Sequence, residues 1–178
     1  CHFFSDSTQT WRKLGDSLPV CGYISTARHN PFREEVLIAG GNYSYQVVMR
    51  IKKDGTFERL ADLPLQFHLN SDKITVDPVS GRYLIRISVG GTYTPRFFEF
   101  DSDRNEYREI PHPPRAREGG IWGTYDMPTC AFIPEYKVTL WTYGNTVHVY
   151  KHDTLNAVLK EKATGTMVAN LSLSIYPN

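Results

Sequence analysis

The sequence predicts an all-β chain, with short antiparallel strands grouped in units of about 45–50 residues. Three observations lead there. Residues 36–64, VLIAGGNYSYQVVMRIKKDGTFERLADLP, spell strand, glycine pair, strand, tight turn and strand in succession. The anchors of that stretch return: glycine pairs at Gly40-Gly41 and Gly90-Gly91 with Gly144 standing third, and turn prolines at Pro31, Pro78, Pro134 and Pro177. No stretch sustains the i, i+3, i+4 apolar spacing of an amphipathic helix.

Taken in order, residues 2–4 read as a strand remnant, 5–8 as a turn and 10–14 as a strand carrying Trp11, stopped by Leu18-Pro19. Residues 1–19 thus look like the end of one unit. The next unit, 20–64, opens with a strand over 20–27 and turns at His29-Asn30-Pro31-Phe32. Strands follow at 36–39 and 45–51. Lys52-Lys53-Asp54-Gly55 makes a hairpin, because Asp-Gly accepts the positive φ a tight turn demands, and a strand over 56–60 ends at Leu63-Pro64.

The unit 65–114 repeats the plan. Strands are expected at 74–76, 83–89, 96–100 and 106–110, with a turn at Asp77-Pro78-Val79-Ser80-Gly81, where Pro fixes φ and Gly closes. The unit 115–160 begins with a long connection, then strands at 130–133, 138–143 and 147–150 and a weak one at 157–160. Residues 161–178 begin another unit, with 168–176 as its first strand.

Composition narrows the classes. At 178 residues the chain has room for one well-cored domain. Aromatics at 13% are high and suit a pleated surface. A net charge of +1 gives no reason to invoke nucleic acid, and no apolar run approaches the ~18 residues a membrane span needs. Cys1, Cys21 and Cys130 are odd in number and follow no metal spacing, so they form no disulfide framework, and Cys21 and Cys130 are expected as small buried strand residues. Two sequons, Asn42-Tyr43-Ser44 and Asn170-Leu171-Ser172, leave the compartment open with a slight lean to secretion.

Units of four short strands at this period are the signature of β-propeller blades. The order of apolar strand, Gly-Gly, tyrosine-bearing strand and an aromatic shortly before a proline is similar to the kelch motif. The aromatics are Trp11 before Pro19, Phe57 before Pro64 and Tyr107 before Pro114. The resemblance is clearest at 36–64 and 83–114, and it weakens at 129–160, where the second glycine and the fourth-strand aromatic are missing. It implies an incomplete ring, because about four to eight blades are needed to close one. The chain is then expected to be a segment of a larger propeller, or to close by pairing its two ends or with a second copy.

The resemblance also implies where ligands lie. One face of such a propeller is made by the connections between blades and between second and third strands, here 65–71, 111–128, roughly 160–166, 41–44, 91–95 and 144–145. The connection 111–128, at about 18 residues, exceeds ordinary lengths, and such loops often carry function. It holds Arg115, Arg117, Trp122, Tyr125 and Asp126, and the 65–71 connection adds His68 and Asn70. An indole face suits the C–H face of a sugar, while charged groups take its hydroxyls or a carboxylate. The bland alternative has Trp122 folded back as an apolar plug.

Catalytic constellations are poor, and no metal or cofactor is expected. Among the histidines only His148 and His152 stand at i, i+4. On a strand that separation is ~13 Å, too far for one metal. His29 and His112 are expected in exposed turns. A copper-radical oxidase and a sialidase share this kind of fold, but the ligand and arginine clusters each needs do not fall into place. The expected function is a non-catalytic binding module for a glycan or a protein, with a propeller-based glycan-processing or oxidative enzyme as the rival.

Overall fold

The computed structural model describes residues 2–13, 25–41, 43–66, 73–88, 95–111, 129–143, 146–151 and 172–177. Every regular element among them is a β-strand except one short 3-10 turn at Pro134–Tyr136. The chain divides into two compact units, Cys1–Leu69 and Asn70–Asn178.

The first unit holds a hairpin, β1 (His2–Ser5) with β2 (Thr10–Lys13), and a four-stranded antiparallel sheet of β3 (Thr26–Asn30), β4 (Glu35–Ala39), β5 (Val48–Lys52) and β6 (Phe57–Arg59) in sequence order. Leu37, Ala39 and Val48 are fully buried in it. The second unit holds two sheets. One is a meander of β7 (Lys73–Val76), β8 (Tyr83–Ser88), β9 (Pro95–Asp101) and β10 (Glu106–Ile110). The other contains β11 (Thr129–Ile133), β12 (Val138–Tyr143), β13 (Thr146–Lys151) and β14 (Ser172–Pro177). None of the sheets closes on itself. Four-stranded meanders of this kind are compatible with the blades of an incomplete propeller.

One loop design turns the first strand of each four-stranded sheet into the second. Residues 31–34, 78–81 and 134–137 open with Pro31, Pro78 and Pro134 and close with a residue at positive φ: Glu34 at 51°, Gly81 at 67° and Lys137 at 54°. Proline presets the first φ, and the left-handed closing residue brings the chain back in register. Before two of these prolines a buried side chain caps the turn. Asn30 Oδ1 accepts the Phe32 N–H at 3.1 Å, and Asp77 Oδ1 accepts the Val79 N–H at 3.1 Å.

In the second unit, β8 is buried on both faces, with Tyr83, Ile85 and Ile87 on one and Leu84 on the other. That burial explains why its sequence reads as a nearly unbroken apolar run. The third sheet covers the Leu84 face. Trp141 meets Phe97 edge to face at 5.4 Å, within a buried cluster that includes Leu84 and Ile110. Thr139 Oγ1, on β12, donates to the Val76 carbonyl at 3.0 Å, and the first strands of the two sheets, β7 and β11, lie beside each other.

Three expectations change. His29 and Asn30 continue β3, and the turn begins at Pro31. Tyr45 lies in a turn, where the Ser44 hydroxyl donates to the Gly40 carbonyl at 2.7 Å and the Val47 N–H to the Ser44 carbonyl at 2.9 Å, so the strand starts at Val48. The expected strand near 168–176 is present as β14, but it runs parallel to β13, with Thr146 opposite Ser172, and occupies the outer place in the third sheet. Residues 157–160, expected in that place, lie outside the described residues, as do 20–24.

Candidate functional site

His68, Asn70, Arg115, Arg117, Trp122, Tyr125 and Asp126 all lie outside the described residues, so none is placed relative to another. The strands that flank their connections are described. In an antiparallel meander the ends alternate. The short turns 31–34, 78–81, 102–105 and 134–137 therefore fall at one end of their sheets, and the stretches 40–47, 89–94, 111–128 and 144–145 leave and re-enter at the other. Cys130 Sγ lies 3.5 Å from the Ile74 carbonyl, which sets the starts of β7 and β11 beside each other. The connection carrying His68 and Asn70 and the one carrying Arg115 to Asp126 thus deliver the chain to adjacent strand starts.

The organised polar chemistry among the described residues stands nearer the short-turn end. Glu99, on β9, is 2% exposed in a chain segment that is otherwise aromatic. Its Oε2 accepts Arg108 Nε at 3.1 Å, Arg108 Nη2 at 2.7 Å and Arg82 Nη1 at 3.3 Å. Its Oε1 accepts the Tyr150 hydroxyl of the neighbouring sheet at 2.7 Å. Arg82 also reaches Asp101, Nε to Oδ2 at 3.4 Å. Burial works to raise the Glu99 pKa, but the Tyr150 hydroxyl and the Arg108 and Arg82 cations bring it below the ordinary value. Burial and the adjoining carboxylate push the Tyr150 phenol up.

A carboxylate that is ionised and engaged on both oxygens is a poor proton donor or nucleophile at neutral pH, so this group holds two sheets together and is not arranged for catalysis. An open cavity of about 170 Å³ beside it is bordered by Arg82, Asp101, Arg104, Glu106 and Arg108, charges of both signs. Sequence reasoning missed this cluster. The signal was available: a glutamate in the middle of the run Phe97-Phe98-Glu99-Phe100 needs buried partners.

The first unit has its own cluster. Arg50, on β5, donates to Glu58 at 2.7 Å and to Glu35 at 3.3 Å, and Lys52 pairs with Glu58 at 2.9 Å. Burial opposes the charge on Arg50, and the two carboxylates outweigh it, so its pKa is raised.

The remaining candidates resolve singly. His29 is exposed, as expected, but lies on a strand. His148 is buried at 4% exposure on β13, facing the second sheet, and burial lowers its pKa. Cys130 is a free, half-buried thiol on β11. Among the described residues no group of three or more His, Cys, Asp or Glu side chains is arranged to hold a metal ion. No family model matches the chain, and no curated protein matches it.

Proposed function

We propose that the chain is a run of kelch-like β-propeller blades serving as a non-catalytic binding module, with a glycan or a protein held where the long connections converge. The observation that carries this reading is the asymmetry of the sheets. The proline-led turns 31–34, 78–81 and 134–137 stand at one end of their sheets, and the connections 40–47, 89–94 and 111–128 leave from the other, the last of them entering β11 beside the start of β7. A rigid strand scaffold with its long loops at one end is how sheet proteins build recognition surfaces.

The content of those loops favours a glycan. Trp122 and Tyr125 supply flat stacking faces, Arg115 and Arg117 suit a carboxylate or hydroxyls, and Asp126, His68 and Asn70 add acceptors and donors. A glycan array tests it. The chain should retain a defined set of glycans, and Trp122→Ala should lose at least tenfold in affinity for them while melting unchanged. Retention of every bound glycan by Trp122→Ala would remove the loop face from consideration.

A further inference from the structure

The chain contains one Asp-Gly step, Asp54-Gly55, and no Asn-Gly step. It forms the tip of the β5–β6 hairpin, where Gly55 takes a φ of 84°. Asp-Gly is the aspartyl step most prone to rearrange, because glycine has no side chain to hinder its own nitrogen. In that reaction the Gly55 nitrogen attacks Cγ of the protonated Asp54 carboxyl. An N–Cγ bond forms, and the amide proton and the carboxyl hydroxyl leave as water. Water then opens the succinimide. Breaking the bond between the Asp54 main-chain carbonyl carbon and the Gly55 nitrogen leaves isoaspartate, with the backbone routed through the side chain. The balance needs only water.

The native hairpin opposes each requirement. Asp54 Oδ1 accepts the Thr56 N–H at 2.9 Å and the Thr56 hydroxyl at 2.7 Å, so the carboxyl is turned toward residue 56. These bonds favour the charged form and hold Asp54 below the ordinary carboxylate value. The ionised carboxylate is the unreactive form, because its oxygen cannot leave as water. The Gly55 N–H, whose proton must be lost, donates to the Lys52 carbonyl at 2.9 Å, and the Lys52 N–H closes the turn on the Thr56 carbonyl at 3.0 Å. Asp54 and Thr56 are both exposed, so protection comes from these bonds and not from burial.

We propose that Asp54-Gly55 is an isomerisation site held shut by Thr56, through its hydrogen bonds to the Asp54 carboxylate. Loss of that contact lets Asp54 convert to isoaspartate, which adds a methylene to the backbone of the turn. Lys52 beside the turn pairs with Glu58 at 2.9 Å, and Glu58 also holds Arg50, so the charge cluster of the first sheet loosens with it. The α-carboxylate that the reaction frees is the group an isoaspartyl carboxyl methyltransferase consumes. The inference is independent of any ligand at the loop face.

The test incubates the whole chain for weeks at neutral pH beside a synthetic peptide of residues 50–59. Isoaspartate is measured by methyl transfer from S-adenosylmethionine with an isoaspartyl methyltransferase and located by peptide mapping. The folded chain should accumulate it at least about tenfold more slowly than the peptide. Thr56→Val has the same shape and keeps the backbone N–H but loses the hydroxyl. It should raise the rate in the folded chain about threefold or more, the size of one hydrogen bond. Thr56→Ser should return the slow rate. Amide exchange at Gly55 reads opening of the hairpin and should change less than the isomerisation rate. A whole chain as fast as the peptide overturns the inference, as does a Thr56→Val variant at the wild-type rate or a Thr56→Ser variant as fast as Thr56→Val. So does a rise fully matched by faster Gly55 exchange, which assigns the closure to hairpin stability and not to the Thr56 hydroxyl.

Discussion

The two four-stranded meanders build the same charge cluster with the signs exchanged. In the first unit the buried centre is a cation, Arg50, opposite Leu37 on the second strand and Glu58 on the fourth. In the second unit it is an anion, Glu99, opposite Leu84 and Arg108. The flanking pair inverts as well: Glu35 stands across from Lys52, and Arg82 reaches Asp101. The third sheet places Val149 opposite Leu140 at the central position. What the position requires is neutrality. Arg50 and Lys52 with Glu35 and Glu58, Glu99 and Asp101 with Arg82 and Arg108, or a plain apolar residue each achieves it. Buried ion pairs and apolar residues of similar volume are thermodynamically interchangeable in this way.

The clusters differ in who is left when the centre is removed. Arg50 protects Glu35, whose side chain is 5% exposed, whereas the partners of Glu99 reach water, Arg82 at 32% and Arg108 at 59%. The largest effect is therefore expected in the first sheet. Arg50→Met takes away the guanidinium that Glu35 and Glu58 share and should cost about 3–5 kcal/mol in urea unfolding. Adding Glu35→Val, which copies the valine that stands at that place in the third sheet, should restore most of it. A loss below about 1 kcal/mol for Arg50→Met would mean that the buried pair is not what the position needs.

Next in size is the contact only the anionic cluster makes. Tyr150→Phe removes a hydrogen bond to a buried charge and should cost about 1.5–3 kcal/mol. An effect near zero would show that the apolar packing around Trp141 and the Thr139 and Cys130 contacts to β7 join the two sheets of the second unit without help from Tyr150.

Acid should separate the clusters too. His148 is depressed by burial, so unfolding takes up a proton below the ordinary value of 6.5, and stability is lost from there downward. Glu99 is depressed from 4.5, so its contribution is present above that value and disappears as pH falls through the lower folded value. The urea midpoint should fall between pH 7 and about 5.5, and His148→Gln should remove that first step while leaving the later one.

The smallest effect belongs to the outer partners. Glu58 is 42% exposed and Arg108 is 59% exposed. Glu58→Gln and Arg108→Gln should each cost no more than about 1 kcal/mol, and less at high salt. A cost near that of Arg50→Met would place the energy in the exposed arm of the cluster.

Much of the strand plan could be read directly. Pro31, Pro78 and Pro134 marked real turns because proline constrains φ wherever it sits, and 106–110 and 138–143 match their strands to the residue. Tyr45 was misread because a side chain with strong sheet preference can stand in a loop closed by another residue, here Ser44 on Gly40. Glu99 was passed over because its partners lie on three other segments, at Arg82, Arg108 and Tyr150.

The sequence by itself determined that this chain is all-β, the neighbourhood of most of its short strands, and the turns at Pro31, Pro78 and Pro134. Those are consequences of φ preferences and period-two side chains, which act within a few residues. Only the tertiary structure decided which strands become neighbours. Pro177 resembles the other turn prolines in every local respect, yet it ends a strand lying parallel to β13. Likewise Phe4 and Phe100 each stand opposite an aromatic across a hairpin, Trp11 and Tyr107, yet one is partly exposed and one buried. Pairing and burial depend on what another part of the chain brings across the sheet, and no local preference contains that information.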